Sequence, residues 1–233
     1  MIIGVHTTAH RRYAISKIAF AALRRTLTEL EALGHQTYVV CGVSHPKSAS
    51  IAKSFGFETV MTPNSPVGRK FDVVMHKVLE RECDYVMEYC SDNVLDTDYS
   101  NLAHEAMSAG VPYWGLTSFY ILNHRTKQCR LFKGSLSNVG RLTRRYLLDK
   151  IKRRKNFFYE HRLQRGLDAS FNKIMWEVNK TRADYPELER PYIVDIKNEV
   201  SMNPYANFSQ KNSLFPIVSL SGNFPELQQN ENE

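Results

Sequence analysis

Between Ile2 and Met61 the chain alternates apolar strand-like runs with amphipathic helical ones, and few folds accommodate that order. Ile2 to Thr8 reads as a buried strand. Tyr13 to Leu33 follows with apolar residues Ile15, Ile18, Ala19, Ala22, Leu23, Leu27 and Leu30 at helical spacing, and Gly34 stops it. Gln36 to Val43 is a second strand, Pro46 to Phe55 a short helix closed by Gly56, and Glu58 to Met61 a third strand. A β-α-β-α-β order of this kind predicts an α/β fold with a mostly parallel, Rossmann-type sheet flanked by helices.

The continuation places polar residues where such a sheet has its ligand edge. Pro66-Val-Gly-Arg-Lys-Phe-Asp72 is a loop that opens a helix running through about Arg81. Tyr85 to Cys90 is a fourth strand, and it exits abruptly into Ser91-Asp92-Asn93. Open α/β sheets bind ligands beyond the carboxyl ends of their strands. A carboxylate there is a hard oxygen ligand suited to Mg²⁺ or Mn²⁺, which in turn suits a diphosphate. The same three residues also make an ordinary turn. Gly68 allows close backbone approach at a helix N-terminus that favours an anion, and Lys70 is placed to reach a phosphate or a base carbonyl; a plain Pro/Gly turn with a solvated lysine is the alternative. Thr7, Thr8, His10 and Arg11 follow the first strand and share its ligand edge. Asp98 reads as an N-cap and Asp96 as surface.

Further on, Asp98 to Ala109 reads as a helix, and Tyr113 to Leu122 with Cys129 to Phe132 as a hairpin. Gly140 to Lys155 reads as one basic helix, Leu167 to Asn179 as another helix, and Tyr192 to Ile196 as a late strand. Ten Lys/Arg lie between Arg141 and Arg165, interleaved with Tyr146, Phe157, Phe158 and Tyr159. Cations neutralise phosphates and aromatics stack on bases, so this segment is a candidate nucleic-acid contact as well as a candidate solvated face. Its candidate phosphate-binding residues are Arg141, Arg144, Arg145, Lys152, Arg153 and Arg154. Arg165-Gly-Leu-Asp168 puts a carboxylate at a helix start, where it serves as an N-cap or as a general base.

The 233 residues, 42% of them hydrophobic, suffice for one real core. Three parts are expected: a nucleotide-sugar-binding half over 1–135, an acceptor-side helical part of the same domain over 136–222, and a flexible tail over 223–233. A net charge of +7 favours an acidic partner. Cys41, Cys83, Cys90 and Cys129 form no C-x-x-C pair, and no run approaches the ~18 apolar residues of a membrane span. A reduced, cytoplasmic protein is the expectation (host cytoplasm if phage-encoded). The histidine spacings offer no zinc motif.

Taken in order, the Pro-x-Gly-x-Lys helix, the apolar strand with Ser91-Asp92-Asn93, Gly140-Arg141 with its basic helix, Arg165-Gly-Leu-Asp168 and Val194-Asp-Ile-Lys197 resemble the GT-A glycosyltransferases near family 2, in a compact branch common in phages and bacteria. The resemblance covers roughly residues 1–203. It implies a UDP-sugar donor and a Mn²⁺ or Mg²⁺ ion held by Asp92 with Asn93, although Asn93 stands where a second carboxylate is usual. It also implies donor contacts from Thr7, Thr8, Arg11, Gly68, Lys70, Ser91 and Lys197, a catalytic base at Asp168, and an acceptor-side contact at Arg141. With the basic helix in view, the expected acceptor is 5-hydroxymethylcytosine in double-stranded phage DNA, receiving a glucosyl or arabinosyl group. A glycan, lipid-linked or protein acceptor is the alternative. A non-catalytic nucleic-acid-binding module is a second one.

Overall fold

The computed structural model describes residues 1–133, 137–186, 188–198, 215–216, 220 and 222–228. Strand β1 (Ile2–Ala9) is followed by helix α1 (Tyr13–Ala32), β2 (Gln36–Val43), α2 (Pro46–Ser54), β3 (Glu58–Met61), α3 (Val67–Val78) and β4 (Tyr85–Glu88). β5 (Asn93–Leu95), α4 (Tyr99–Ser108), β6 (Tyr113–Trp114), β7 (Ser118–Asn123) and β8 (Gln128–Lys133) come next. β9 (Arg141–Arg144), α5 (Arg145–Lys155), α6 (Leu167–Asn179), β10 (Ile193–Lys197) and β11 (Phe215–Pro216) complete the elements, with a 3-10 turn at Pro225–Leu227.

The main sheet has the order β3-β2-β1-β4-β9-β6. β3, β2, β1 and β4 are mutually parallel, and β9 runs antiparallel to β4 and β6. Alternating side chains divide between its two faces. Val39, Cys41 and Val43 of β2 with Tyr85 and Met87 of β4 pack with Leu23 and Leu27 of α1, Ala52 of α2 and Ala103 of α4. Val40 and Val86 point the other way, onto Val74 and Val78 of α3, Leu148 of α5 and Phe171 of α6. Helices therefore cover both faces, as a parallel sheet requires. α1 ends where Gly34 adopts φ +85° and the His35 N–H returns to Leu30 O at 3.1 Å. A second sheet, β11-β8-β7-β10-β5, stands beside the carboxyl edge of the first.

Three expectations change. Gly140 to Lys155 is not one helix. Arg141-Leu-Thr-Arg144 pairs residue for residue with β4, Arg141 opposite Glu88 and Arg144 opposite Tyr85, and the helix begins only at Arg145. An exposed edge of β4 and a buried partner for Arg141 outweigh local helix propensity. The Tyr113 to Leu122 run splits, β6 joining the main sheet and β7 the second. Residues 224–227, inside the segment expected to be flexible from 223, pack against the body. Phe224 and Leu227 are buried, and Glu226 accepts from Arg25 Nε at 2.6 Å.

Gly68 has a packing task. Its N–H donates to Leu163 O at 2.9 Å, and a Cβ there would lie 2.1 Å from Glu160 O. Gly68→Ala is expected to destabilise by ~2 kcal/mol through overpacking, seen as a Tm lower by about 4–8 °C. An unchanged melting curve would contradict the close approach.

Candidate functional site

A cavity of about 670 Å³ opens at the carboxyl ends of β1 and β4. Thr8, Arg11 and Arg12 line it from the end of β1, and Ser91, Asp92 and Asn93 from the exit of β4. Asp195 and Lys197 reach it from β10, Lys70 from α3, and Arg165 and Asp168 from the start of α6. Position alone makes this the ligand edge of the sheet.

Asp92 lies at the centre of a compact charge cluster. Its Oδ2 accepts from Arg12 Nη1 at 2.5 Å and stands 3.5 Å from Lys197 Nζ. Lys197 Nζ is also 2.7 Å from Asp195 Oδ2. The register explains the gathering: Asp195 pairs with Asn93 across β10 and β5, and the Ile196 N–H donates to Asp92 O at 2.7 Å. Burial pushes the Asp92 carboxyl upward, but Arg12 and Lys197 outweigh it and hold it below the usual carboxylate range. Asp195 is the opposite case. Burial raises it to about 6 against the pull of Lys197, with Asp92 adding to the rise. Asp195 Oδ1 is buried without a partner.

Lys70 is buried and fully engaged. Its Nζ donates to Ala9 O at 2.8 Å, to Ser44 Oγ at 3.2 Å and to Asn64 Oδ1 at 3.2 Å. Those three acceptors lie at the end of β1 and just beyond β2 and β3, so one ammonium ties together the strand ends that form this wall of the cavity. Burial lowers its pKa to about 8, which leaves it protonated at neutral pH.

Asp168 sits in the first turn of α6, above a buried network. Arg141, fully enclosed, donates Nε to Glu88 Oε1 at 2.9 Å and Nη2 to Glu88 Oε2 at 2.7 Å. The Tyr159 hydroxyl also donates to Glu88, and the Arg141 guanidinium lies 4.3 Å from the Phe171 ring centre. The remaining nitrogen, Nη1, has no hydrogen-bond partner and faces Asp168 Oδ1 at 4.0 Å, itself enclosed and unpaired. The rest of the Asp168 side chain is open to the cavity. Desolvation raises the carboxyl to about 6, against the attraction of Arg141 and with Glu88 adding to the rise.

Several expected site residues lie elsewhere. Thr7 is enclosed, its hydroxyl unpartnered and turned away from the cavity lining. Gly68 contacts the 160–163 backbone, and Gln164 Oε1 accepts from the Val67 N–H at 3.3 Å, so chain atoms occupy the first amides of α3 in place of a phosphate. Arg141 is committed to Glu88 and presents no face to an acceptor. Arg144 lies over Tyr85, at the opposite end of β4 from the cavity. Arg145 caps the end of α3 through Leu79 O at 2.9 Å and Arg81 O at 2.7 Å. Lys152, Arg153 and Arg154 are exposed on α5, outside the cavity lining. The cavity also holds Asp195 of the Val194–Lys197 motif, and residues that carry no local sequence signal: Arg12, Asn64 and the ring pair Phe119–Phe132, whose centres are 4.7 Å apart.

A Mn²⁺ or Mg²⁺ ion on Asp92 and Asn93, as expected, would have to share Asp92 with Arg12 and Lys197. Asp92 Oδ2 and Asp195 Oδ2 already receive cationic side chains. Among the described residues no three His, Cys, Asp or Glu side chains converge as a metal-ligand group.

No protein-family model and no curated protein sequence matches the chain. Solved structures do. TarS of S. aureus, residues 1–349, aligns with a TM-score of 0.55 at 12% identity over 84% of this chain and 60% of that one. A longer TarS chain gives 0.58 at 14% identity over 84% and 37%. TarS 1–349 in complex with UDP-GlcNAc gives 0.53 at 10% identity over 86% and 60%. The fold is GT-A-like, as the motif order implied. The chain spans 60% of the shorter TarS and 37% of the longer.

The Glu88–Arg141 pair gives the site its testable support. Glu88→Ala leaves a buried guanidinium uncompensated and is expected to cost roughly 3–5 kcal/mol, a Tm lower by about 6–20 °C. Wild-type stability in the variant would contradict the assignment.

Proposed function

We propose that the protein is a glycosyltransferase that moves a sugar from a UDP-sugar to an acceptor hydroxyl. The observation that carries this reading is one cavity, at the carboxyl edge of a GT-A-like sheet, that holds both the cations Arg12 and Lys197, paired with Asp92 and Asp195, and a further carboxyl group, Asp168, with a raised pKa. TarS, which shares the fold, has been solved with UDP-GlcNAc. In the proposed reaction Asp168 takes the proton of the acceptor hydroxyl. The acceptor oxygen forms the bond to the anomeric carbon, and the bond from that carbon to the β-phosphate oxygen breaks with its electron pair leaving on UDP. Asn64, with Lys70 behind it, lies on the wall that would meet the nucleoside.

For the acceptor we propose a glycan. Phe119 and Phe132 form an apolar platform in the cavity wall, next to Ser137 and Asn138, which suits the face of a pyranose ring and its hydroxyls. Duplex DNA carrying 5-hydroxymethylcytosine suits the arrangement less well. The basic side chains that motivated it are buried in ion pairs, spread along α5 or placed at the far end of the sheet. A binding module without catalysis leaves the raised, half-open Asp168 carboxyl without a task.

The test is UDP release from a panel of UDP-sugars, with oligosaccharides or hydroxymethylated duplex DNA as acceptors. Glycan-stimulated release is the expected result, and stimulation by the DNA alone would overturn the acceptor assignment. Asp168→Asn is expected to lower kcat by about 10²–10⁴ with UDP affinity retained. Because a general base must be ionised and Asp168 titrates at about 6, kcat/KM is expected to hold above that pH and to fall as pH drops through it. Loss of UDP binding in Asp168→Asn, or activity that persists well below pH 6, would contradict the role.

A further inference from the structure

We propose that Arg12 and Lys197 take the place of a divalent metal ion, so that this chain binds and releases the donor diphosphate without metal. The inference rests on the UDP-sugar reading above and concerns what neutralises the diphosphate within it.

Four charged groups meet at the carboxyl edge of the sheet: Arg12, Asp92, Lys197 and Asp195. With all four ionised their formal charges cancel, so a diphosphate arriving there needs cations with donors still free. Both cations have them. Arg12 meets Asp92 through Nη1, leaving the other guanidinium N–H groups to point elsewhere. Lys197 divides its ammonium between Asp92 and Asp195 and carries a third proton. Both side chains line the cavity, and both keep some exposure, 19% for Arg12 and 9% for Lys197.

The backbone holds the two charges in place. Arg11 adopts φ 57°, a left-handed turn that breaks the direction of β1, and Arg12 follows as the residue before α1. Lys197 closes β10, whose pairing with β5 sets Asp195 against Asn93. A carboxylate at position 93 would draw in a cation; the neutral amide leaves Asp92 to be satisfied by Arg12 and Lys197. The carboxylates then orient the two cations. A guanidinium matches phosphate oxygens two at a time, and an ammonium beside it offers a second positive centre for the charge that grows on the β-phosphate oxygen as the bond to the sugar breaks.

The experiment is titration calorimetry of the full chain with UDP, UMP and uridine, first with EDTA and then with Mn²⁺. The expected UDP affinity is the same within twofold in both conditions. Arg12→Ala and Lys197→Ala are each expected to weaken UDP at least tenfold, to leave uridine within twofold, and to gain nothing from Mn²⁺. Arg12→Lys is expected to recover part of the loss. The uridine arm separates a lost phosphate contact from a misfolded pocket, because damage to the pocket weakens every ligand alike. UDP binding that needs Mn²⁺ and disappears with EDTA would overturn this inference and leave the glycosyltransferase reading intact. Equal weakening of UDP and uridine in both alanine variants would reduce the two cations to structural ties and overturn it as well. Absence of UDP binding in either condition would overturn the donor reading and this inference with it.

Discussion

The buried ion pair between Glu88 and Arg141 is the contact on which the site depends. It joins the last residue of β4 to the first residue of β9 with two hydrogen bonds, both partners almost fully enclosed. An ion pair removed from water stabilises only when its remaining donors and acceptors are met. Here Tyr159 supplies a further hydrogen bond to Glu88, and Phe171 lies against the guanidinium face. Tyr159 and Phe171 belong to the segment that carries α6, so the same pair that fixes β9 also sets the floor beneath Asp168. The one Arg141 nitrogen without a hydrogen bond faces that carboxylate. The strand pairing, the seat of α6 and the electrostatics of Asp168 are therefore one arrangement.

A similar economy runs along the other wall of the cavity. Lys70 binds the ends of three successive strand–loop junctions through one ammonium. Its burial would be costly with any of the three acceptors missing. Asp92 and Asp195 meet two cations within a few ångströms. Desolvation raises Asp195 while Arg12 and Lys197 hold Asp92 ionised. Two neighbouring aspartates thus differ in pKa for reasons of placement alone. The GT-A-like frame supplies the edge, and the local pairings decide what chemistry stands on it.

Much of the frame was legible because period and punctuation agree. β1 through β3 and their helices follow directly from the apolar spacing and from Gly34 and Gly56. The candidate residues Asp92, Lys197 and Asp168, far apart in sequence, do line one cavity. What escaped has physical causes. Arg141-Leu-Thr-Arg144 is too short to show a strand period and runs without a break into α5, so its basic residues read as one exposed face. Burial of Arg141 depends on Glu88, 53 residues away, and no local pattern announces it. Arg12 stood beside Arg11 as one more loop cation; only the turn at Arg11 and the position of Asp92 distinguish them. The room that Gly68 offers beside the start of α3 is filled by the backbone of residues 160–163 and not left for a phosphate. Phe224 and Leu227 lie in a polar stretch, yet two apolar side chains and Glu226 suffice to dock it onto α1.

The cavity beyond β1, β4 and β10 is the proposed donor site. Hydrogen–deuterium exchange of the full chain with and without UDP tests it most directly, because slowed amides report the bound surface by position. Slower exchange is expected in peptides covering residues 8–12, 90–93 and 195–197, with the 145–155 helix unchanged. Protection confined to 145–155, or none anywhere at saturating UDP, would contradict it.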